Sequence, residues 1–371
     1  MKYLLAVLIW NVLLWNVFAA KVVQVTRNVS NGVTNVSVVA SDDPHVGESL
    51  PQQIEEAATV VKGQPPLHLA EQLSYLTVCL YFKNKGQATG FFYSIPHPSN
   101  PSLHLLVIVS NRHATEDATE TSFVLTLASN SLPSNISIPV TMDNRVFPWI
   151  NHPDSSVDLS MLPIGMVLNA LEAKGLHPYI APMNSFYIPD DDYMKSITQT
   201  DEVIMIGYPG GLRDEVNNQP IFRKGILATS PSKNFQGDRE FLIDMPVYWG
   251  SSGSPVLLFS EAAYLDRGSQ QQGIHLSGRL KLIGINYGTF TNTVTGKVVP
   301  VPIPTVVEDE IMQTDDSVDE NPNPRQQRFK LVAKTGIPNN IGIIIHASRL
   351  KEMEEMFINI LRDRSNDEIE K

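Results

Sequence analysis

The sequence predicts an antiparallel all-β sandwich or barrel that is followed by an amphipathic C-terminal helix. Between residues 72 and 305, short runs of β-branched and aromatic residues alternate with Gly, Pro, Asn and Ser, which is the pattern of strands joined by turns. Only LNALEAKGL, residues 168–176, predicts an internal helix. With 42% hydrophobic and 18% charged residues, the composition is that of a globular protein.

Eleven runs in this region have the length and composition of strands. They are LTVCLYF, ATGFFYSI, LHLLVIVS, SFVLTLA, NISIPVTM, VDLSMLPI, EVIMIGY, GILATS, FLIDMPV, SPVLLF and LKLIGINYG. The segment IGIIIHAS predicts a further strand near the C-terminus. In the predicted helix 351–371 and the residue before it, apolar residues recur at helical spacing, so one face packs on the body. They are Leu350, Met353, Phe357 and Leu361.

The first twenty residues have the pattern of a signal peptide. Lys2 gives a positive start, an apolar run follows, and Val17 and Ala19 fit a small-residue cleavage site. A retained membrane anchor is the alternative, but two asparagines interrupt the run and it is short for a full span. We therefore expect an exported protein, periplasmic or secreted, without an integral membrane span after cleavage.

The remaining chain divides by composition. Residues 21–71 predict an N-terminal extension that is partly disordered or a pro-segment. Residues 72–350 form the predicted folded domain, which contains an acidic, Pro-containing loop at about 306–328.

The cysteine content and the charge exclude several classes of protein. Cys79 is the only cysteine, so no intramolecular disulfide can form, which favours a bacterial or phage-like exported protein over a disulfide-stapled extracellular domain. The net charge of −11 disfavours a general binder of nucleic acid or of anionic membranes. Cys79 itself lies in an apolar run and is expected to be buried.

The segment GSSGSP, residues 250–255, is the strongest candidate for chemistry. Its composition also fits a flexible Gly/Ser turn. A serine hydroxyl is a poor nucleophile unless a base, an orienting carboxylate and backbone N–H groups surround it. Gly250 allows a tight turn in which its N–H and that of Ser252 point into one pocket, which makes Ser252 the candidate nucleophile.

Two upstream residues supply the remaining groups. His113 follows the apolar strand LHLLVIVS directly, and Asp158 directly precedes the apolar run LSMLPI. Either residue alone is ordinary at such a position. In the order His, Asp, Ser, each at a strand end, they form a candidate set of base, acid and nucleophile.

Six blocks of this sequence, in order, resemble the chymotrypsin-fold (trypsin-like) serine peptidases over residues 72–350. The resemblance is strongest to their disulfide-free bacterial branch of Deg-type periplasmic proteases. It implies two packed six-stranded antiparallel β-barrels. The blocks are TGFFY with LLVIVSNRHA, VDLSMLPIG, GYPGG with PIFRKGILAT, GSSGSPVLL, LIGINYG and IGIIIHAS.

The resemblance also implies a mechanism. Ser252 would attack the scissile carbonyl, His113 would move its proton, and Asp158 would hold the imidazole. The amides of Gly250 and Ser252 would form the oxyanion hole. No metal or organic cofactor is implied. In trypsin an aspartate precedes the nucleophile and pairs with a new N-terminus; here Ser251 stands there, so we expect activation without that ion pair.

Substrate preference is encoded weakly. By resemblance, Asn286 and Tyr287 would line the cleft edge that pairs with a protein or peptide substrate, and DMPVY would line the primary pocket. Asp244 lies at the wrong offset for trypsin-like specificity, and Pro246 occupies the nearer position. The loop 260–278 is longer than in Deg-type proteases. Its Gln, Gly and Ser content suggests a mobile hairpin near the substrate, but a plain surface loop is the favoured interpretation. The oligomeric state stays open.

Other functions remain open at this stage. The same fold can serve as a catalytically inactive binding module. Alternatively, the nucleophile could act on an ester or on the protein's own N-terminal segment.

Overall fold

The computed structural model describes residues 22–30, 33–41, 67–98, 100–267, 273–297 and 332–369. The predicted signal peptide, residues 1–20, and the predicted acidic loop, residues 306–328, lie outside the described residues. The chain divides into two compact units, residues 1–290 with 340–371 and residues 291–339. The described part of the second unit is residues 291–297 and 332–339, which belong to two long strands.

The fold is mostly β, as the sequence predicts, and its first half is built on a nine-stranded sheet. The strand order is β1-β2-β7-β6-β3-β4-β5-β9-β8. All neighbours are antiparallel except β2 and β7. The strands are β1 Val22–Ser30, β2 Val33–Ser41, β3 Thr77–Phe82, β4 Gly86–His97, β5 Asn100–Ser110, β6 Glu120–Ser129, β7 Leu132–Asp143, β8 Ile150–Asn151 and β9 Ser160–Pro163.

The strands expected for the first barrel lie within a larger sheet. All six are present, as β3 to β7 and β9. The short strand β8 extends one side. Strands β1 and β2 extend the other, where valines alternate with polar residues over 22–41, a period-two pattern that suits a strand.

The second half is a closed six-stranded barrel, as expected. Its order is β10-β11-β12-β17-β16-β13. The enlarged loop 260–278 carries a separate two-stranded sheet of β14 and β15. The strands are β10 Glu202–Gly207, β11 Ile221–Leu227, β12 Glu240–Asp244, β13 Pro255–Ser260, β14 Tyr264–Asp266, β15 Gly273–His275, β16 Arg279–Lys297 and β17 Val332–His346.

Five α-helices accompany the strands in the described part of the chain. None of them is long and apolar enough to cross a membrane. The predicted internal helix appears as α3, and the predicted C-terminal helix as α5. Their bounds are α1 Leu69–Leu73, α2 Arg112–Thr115, α3 Gly165–Glu172, α4 Asp191–Ser196 and α5 Arg349–Ile369.

One apolar cluster joins the two halves and the C-terminal helix. Residues from β4, β5 and β9 pack in it against residues from β10, β13 and β16. The apolar face of α5 contributes Leu350, Met353 and Phe357 to the same cluster. Because buried apolar area is the main stabilising term in folding, this cluster holds the strand ends of both halves in a fixed relation.

Cys79 is buried and unpaired, as expected from its apolar run. Burial raises the pKa of its thiol, because the charged thiolate is disfavoured away from water. The residue is therefore a packing residue of β3 and not a reactive thiol.

Candidate active site

Strand pairing explains why His113 and Asp158 meet. β5 and β9 are antiparallel and pair Ser110 with Ser160. The residues that follow β5 therefore lie beside those that precede β9. Asn111 strengthens this contact, since its side-chain amide donates to the Asp158 backbone carbonyl at 2.8 Å.

His113 lies in the short helix α2, which begins two residues after β5 ends. Its ring Nδ1 is 2.5 Å from Asp158 Oδ2, and its backbone N–H donates to Asp158 Oδ1 at 2.8 Å. The carboxylate thus holds both the ring and the backbone of the histidine. Since a carboxylate accepts, the Nδ1 atom carries the hydrogen and Nε2 is left as the acceptor.

Ser252 lies on the turn between β12 and β13, facing that acceptor. The distance from Ser252 Oγ to His113 Nε2 is 3.1 Å. The turn is tight because Gly250 and Gly253 adopt left-handed φ values of +83° and +86°. Position 253 needs a glycine, because a Cβ there would stand 2.1 Å from the Thr89 carbonyl oxygen.

The peptide bond before Gly250 is oriented by its neighbours. The Trp249 carbonyl accepts a hydrogen bond from the Gly210 N–H at 2.7 Å. In a trans peptide the C=O and the next N–H point in opposite directions, so the Gly250 N–H points away from Gly210. Among the described residues, neither this N–H nor that of Ser252 has an acceptor. Two backbone N–H groups of this turn are therefore available as donors to a ligand.

Asn286 is a brace of this turn. Its amide donates to the Ser251 carbonyl at 3.0 Å, and its backbone exchanges bonds with Gly253 and Ser254. Its side chain is buried. Because its N–H and C=O are both used within the chain, the edge that would pair with a peptide begins after Asn286.

Tyr287, the next residue, is tied to a carboxylate. Its hydroxyl donates to Glu240 Oε2 at 2.9 Å. Burial raises the pKa of Glu240, and the Asp158 charge adds to that shift. Burial and the nearby Glu240 also raise the pKa of Tyr287. The hydrogen bond to Glu240 holds the Tyr287 ring in place, close enough for the charge of Asp158, the candidate acid, to act on it.

A positively charged side chain that the sequence analysis did not single out lies against the segment expected to line the primary pocket. The Arg223 guanidinium donates to the Pro246 carbonyl and lies 5.0 Å over the Tyr248 ring. Asp244 ends β12, where it pairs with Ile226, and its side chain is exposed. The structure thus places an arginine, not a carboxylate, against the segment that includes Pro246 and Tyr248.

No group of His, Cys, Asp or Glu within the described ranges could hold a metal ion.

Comparison with known proteins shows what this region is similar to. Residues 88–262 match the family model of the trypsin-like peptidase domain. This part of the chain is similar to a trypsin-like peptidase domain. The match includes His113, Asp158 and Ser252 and ends before Asn286, and it confirms the resemblance seen in the sequence. A search of the curated proteins returns no match.

Solved structures also align with this chain. A crystal structure of Deg5 aligns with 15% identity and a TM-score of 0.35, over 66% of this chain and 89% of that one. The scabies mite inactivated protease paralogue S-I1 aligns with 9% identity and a TM-score of 0.35, over 78% and 96%. Both identities are too low to transfer an activity to this chain.

Proposed function

We propose that the protein is an exported serine endopeptidase that hydrolyses peptide bonds through an acyl-enzyme. The observation that carries the proposal is the continuous hydrogen-bond chain from Asp158 through His113 to Ser252, at 2.5 and 3.1 Å. A nucleophile and a base within hydrogen-bond reach, with the base oriented by a third group, form the arrangement that activates a serine.

In the first half of the reaction, Ser252 Oγ attacks the scissile carbonyl carbon while His113 Nε2 takes the hydroxyl proton. Asp158 stabilises the imidazolium that forms. The tetrahedral intermediate collapses as the C–N bond breaks, and Nε2 returns the proton to the leaving amine. The products of this half are a free amine and a Ser252 ester.

In the second half, water attacks the ester carbonyl and His113 takes the water proton. The second intermediate collapses to a carboxylic acid, and the proton returns to Ser252 Oγ. The N–H groups of Gly250 and Ser252 stabilise the oxyanion in both halves, and losing one such donor costs about 100- to 1000-fold in turnover.

The proposal includes activation without a new N-terminus. In this chain the turn before the nucleophile is held by the Asn286 amide on the Ser251 carbonyl and by the Gly210 N–H on the Trp249 carbonyl. Both contacts are made without any charged terminus. Mass mapping of the active form tests this part: a further cut beyond the signal peptide that activity requires would contradict it.

Export is the second part of the proposal. It is supported by the sequence of residues 1–20, a lysine followed by an apolar run and small residues. The mature N-terminus of the protein recovered outside the cytoplasm should fall near residue 20.

Hydrolysis of casein, an unstructured protein substrate, tests the activity. Wild type should cleave it at internal bonds, and Ser252→Ala and His113→Ala should each lose nearly all cleavage while remaining folded. If folded wild type binds casein without cleaving it, the domain is a binding module. A mass change in its own N-terminal segment that needs Ser252 would indicate self-processing.

A further inference from the structure

Thr89 lies at the meeting point of the candidate catalytic segments. It belongs to β4 in the first half, and its side chain is fully buried. The register of β4 on β5, which pairs Phe91 with Val109, brings Thr89 level with Asn111, just before the His113 helix. A polar side chain at 0% exposure must be hydrogen-bonded or it destabilises the fold.

The hydroxyl of Thr89 is used twice, in both cases by the second half. It donates to the Gly250 carbonyl at 2.9 Å and accepts from the Tyr208 N–H at 3.0 Å. One hydroxyl therefore joins the turn that carries Ser252 to the end of β10.

The backbone of Thr89 is also used at both ends of the site. Its N–H donates to the Ser252 carbonyl at 2.9 Å. Its carbonyl accepts from the Ser110 hydroxyl at 2.8 Å. Since Ser110 ends the strand that leads to His113, Thr89 contacts the segments of the nucleophile and of the base.

The contacts with Gly250 bear on the oxyanion donors. Gly250 lies between two peptide groups, and a glycine with φ of +83° has no side chain to restrict either one. Gly210 holds the carbonyl on one side, at Trp249, and the Thr89 hydroxyl holds the carbonyl on the other, at Gly250 itself. The Gly250 N–H shares a peptide plane with the Trp249 carbonyl, so the Gly210 contact sets its direction. The Thr89 contact holds the following peptide plane, which keeps Gly250 from turning between the two.

Two glycines leave the space that this arrangement needs. A Cβ on Gly207 would stand 2.7 Å from Thr89 Oγ1 and 2.1 Å from Ser254 Oγ. A Cβ on Gly253 would overlap the Thr89 carbonyl oxygen. Close packing around the hydroxyl keeps it in one position, because a buried side chain at native density has little freedom to rotate.

We propose that Thr89 is a positioning residue of the active site: its hydroxyl orients the Gly250 peptide so that the oxyanion donors are preorganised. This rests on the proposed peptidase function. Thr89 does not touch the reacting atoms. Its effect should appear in turnover more than in substrate binding, because preorganised donors act mainly on the transition state.

Three substitutions separate the hydroxyl from the shape of the side chain. Thr89→Val keeps the branching and removes the hydroxyl, Thr89→Ser keeps the hydroxyl, and Thr89→Ala serves if the valine variant does not fold. The matched control is Thr121→Val. Thr121 is also fully buried and uses its hydroxyl twice, with Asn144 and Trp149, but it lies in β6 away from the site.

The readout is the rate constant of labelling by a fluorophosphonate probe, together with kcat and KM on a peptide substrate and the thermal unfolding midpoint. We expect Thr89→Val to lose at least tenfold in labelling and kcat, with KM nearly unchanged. Thr89→Ser should stay within about threefold of wild type. Thr121→Val should lose stability and keep the wild-type rates.

Equal losses in the serine and valine variants, or a folded valine variant with the wild-type labelling rate, would overturn the proposal. Hydrogen exchange of the peptide covering residues 248–254 tests, independently of activity, whether Thr89 holds the turn. Exchange should be faster in Thr89→Val than in Thr89→Ser and wild type. If wild type is not labelled, the peptidase function fails, and exchange still decides whether Thr89 holds the turn.

Discussion

Replacing Gly250 with alanine is expected to inactivate the protein by moving the oxyanion donors. Gly250 has φ of +83°, and a Cβ there would stand 2.5 Å from the Tyr208 carbonyl oxygen. Ordinary van der Waals contact begins at 3.4 Å, so the turn must shift by about 0.9 Å, the difference of the two distances. The clash is with backbone, which cannot rotate away as a flexible side chain would.

The size of the effect follows from that shift. A misplacement of about 1 Å in a catalytic group costs about 100-fold in rate, and complete loss of one oxyanion donor costs about 100- to 1000-fold. We therefore expect kcat to fall by about 100- to 1000-fold. The left-handed conformation adds about 1–2 kcal/mol of strain for a residue with a Cβ.

The matched control is Gly175→Ala. Gly175 also has a left-handed φ, +72°, but a Cβ there would meet nothing within 4 Å. This variant has the same kind of strain without the clash, so its thermal midpoint should fall while kcat stays at the wild-type value. If Gly250→Ala keeps kcat within tenfold of wild type, or if Gly175→Ala loses as much activity, the reasoning is refuted.

Three further predictions concern single side chains. Asp158→Asn should lower the initial rate of peptide hydrolysis by about 10,000-fold, because its amide can favour the wrong tautomer of the histidine; a loss below tenfold would exclude Asp158 as the orienting acid. Burial lowers the pKa of His346 from 6.5 to about 4, so its contribution to stability is full above pH 6.5 and falls by about 3 kcal/mol as the pH drops to 4. Urea unfolding should show a flatter pH dependence in this window for His346→Asn, and equal slopes would contradict the assignment. Burial also raises the pKa of Glu354, whose carboxylate accepts from Tyr93, so stability should fall as the pH rises above 4.5, through the folded pKa. As the pH increases, the thermal midpoint of Glu354→Gln should rise relative to that of wild type. A difference between the two midpoints that does not change with pH would contradict the raised pKa of Glu354.

The strands of both halves were predictable because each buries its own apolar residues. All eleven runs and the C-terminal strand appear as strands. The loop 260–278, for which a plain surface loop was favoured over a hairpin, contains the paired strands β14 and β15. Which strands pair with each other was harder to predict from the sequence. Strands β1 and β2 join the first sheet through β7, and nothing in residues 22–41 alone specifies a partner about a hundred residues away.

The residues of the candidate site also differ in how far the sequence predicts them. Ser252, His113 and Asp158 could be nominated because each lies at a strand end in a recognisable local pattern. Thr89 could not, because a threonine in a strand has no local signature and its hydroxyl bonds a residue 161 positions later. Asn286 was placed at a cleft edge by resemblance, and nothing in the sequence indicated that its amide also braces the nucleophile turn.

The most direct measurement of the central claim is labelling of the purified protein by a fluorophosphonate probe, followed by peptide mapping. Only an activated serine reacts rapidly with such a probe, because the hydroxyl alone is a weak nucleophile. We expect one label on wild type, mapped to Ser252, and none on Ser252→Ala or His113→Ala. A folded wild type that takes no label, or a label that persists in His113→Ala, would contradict the account.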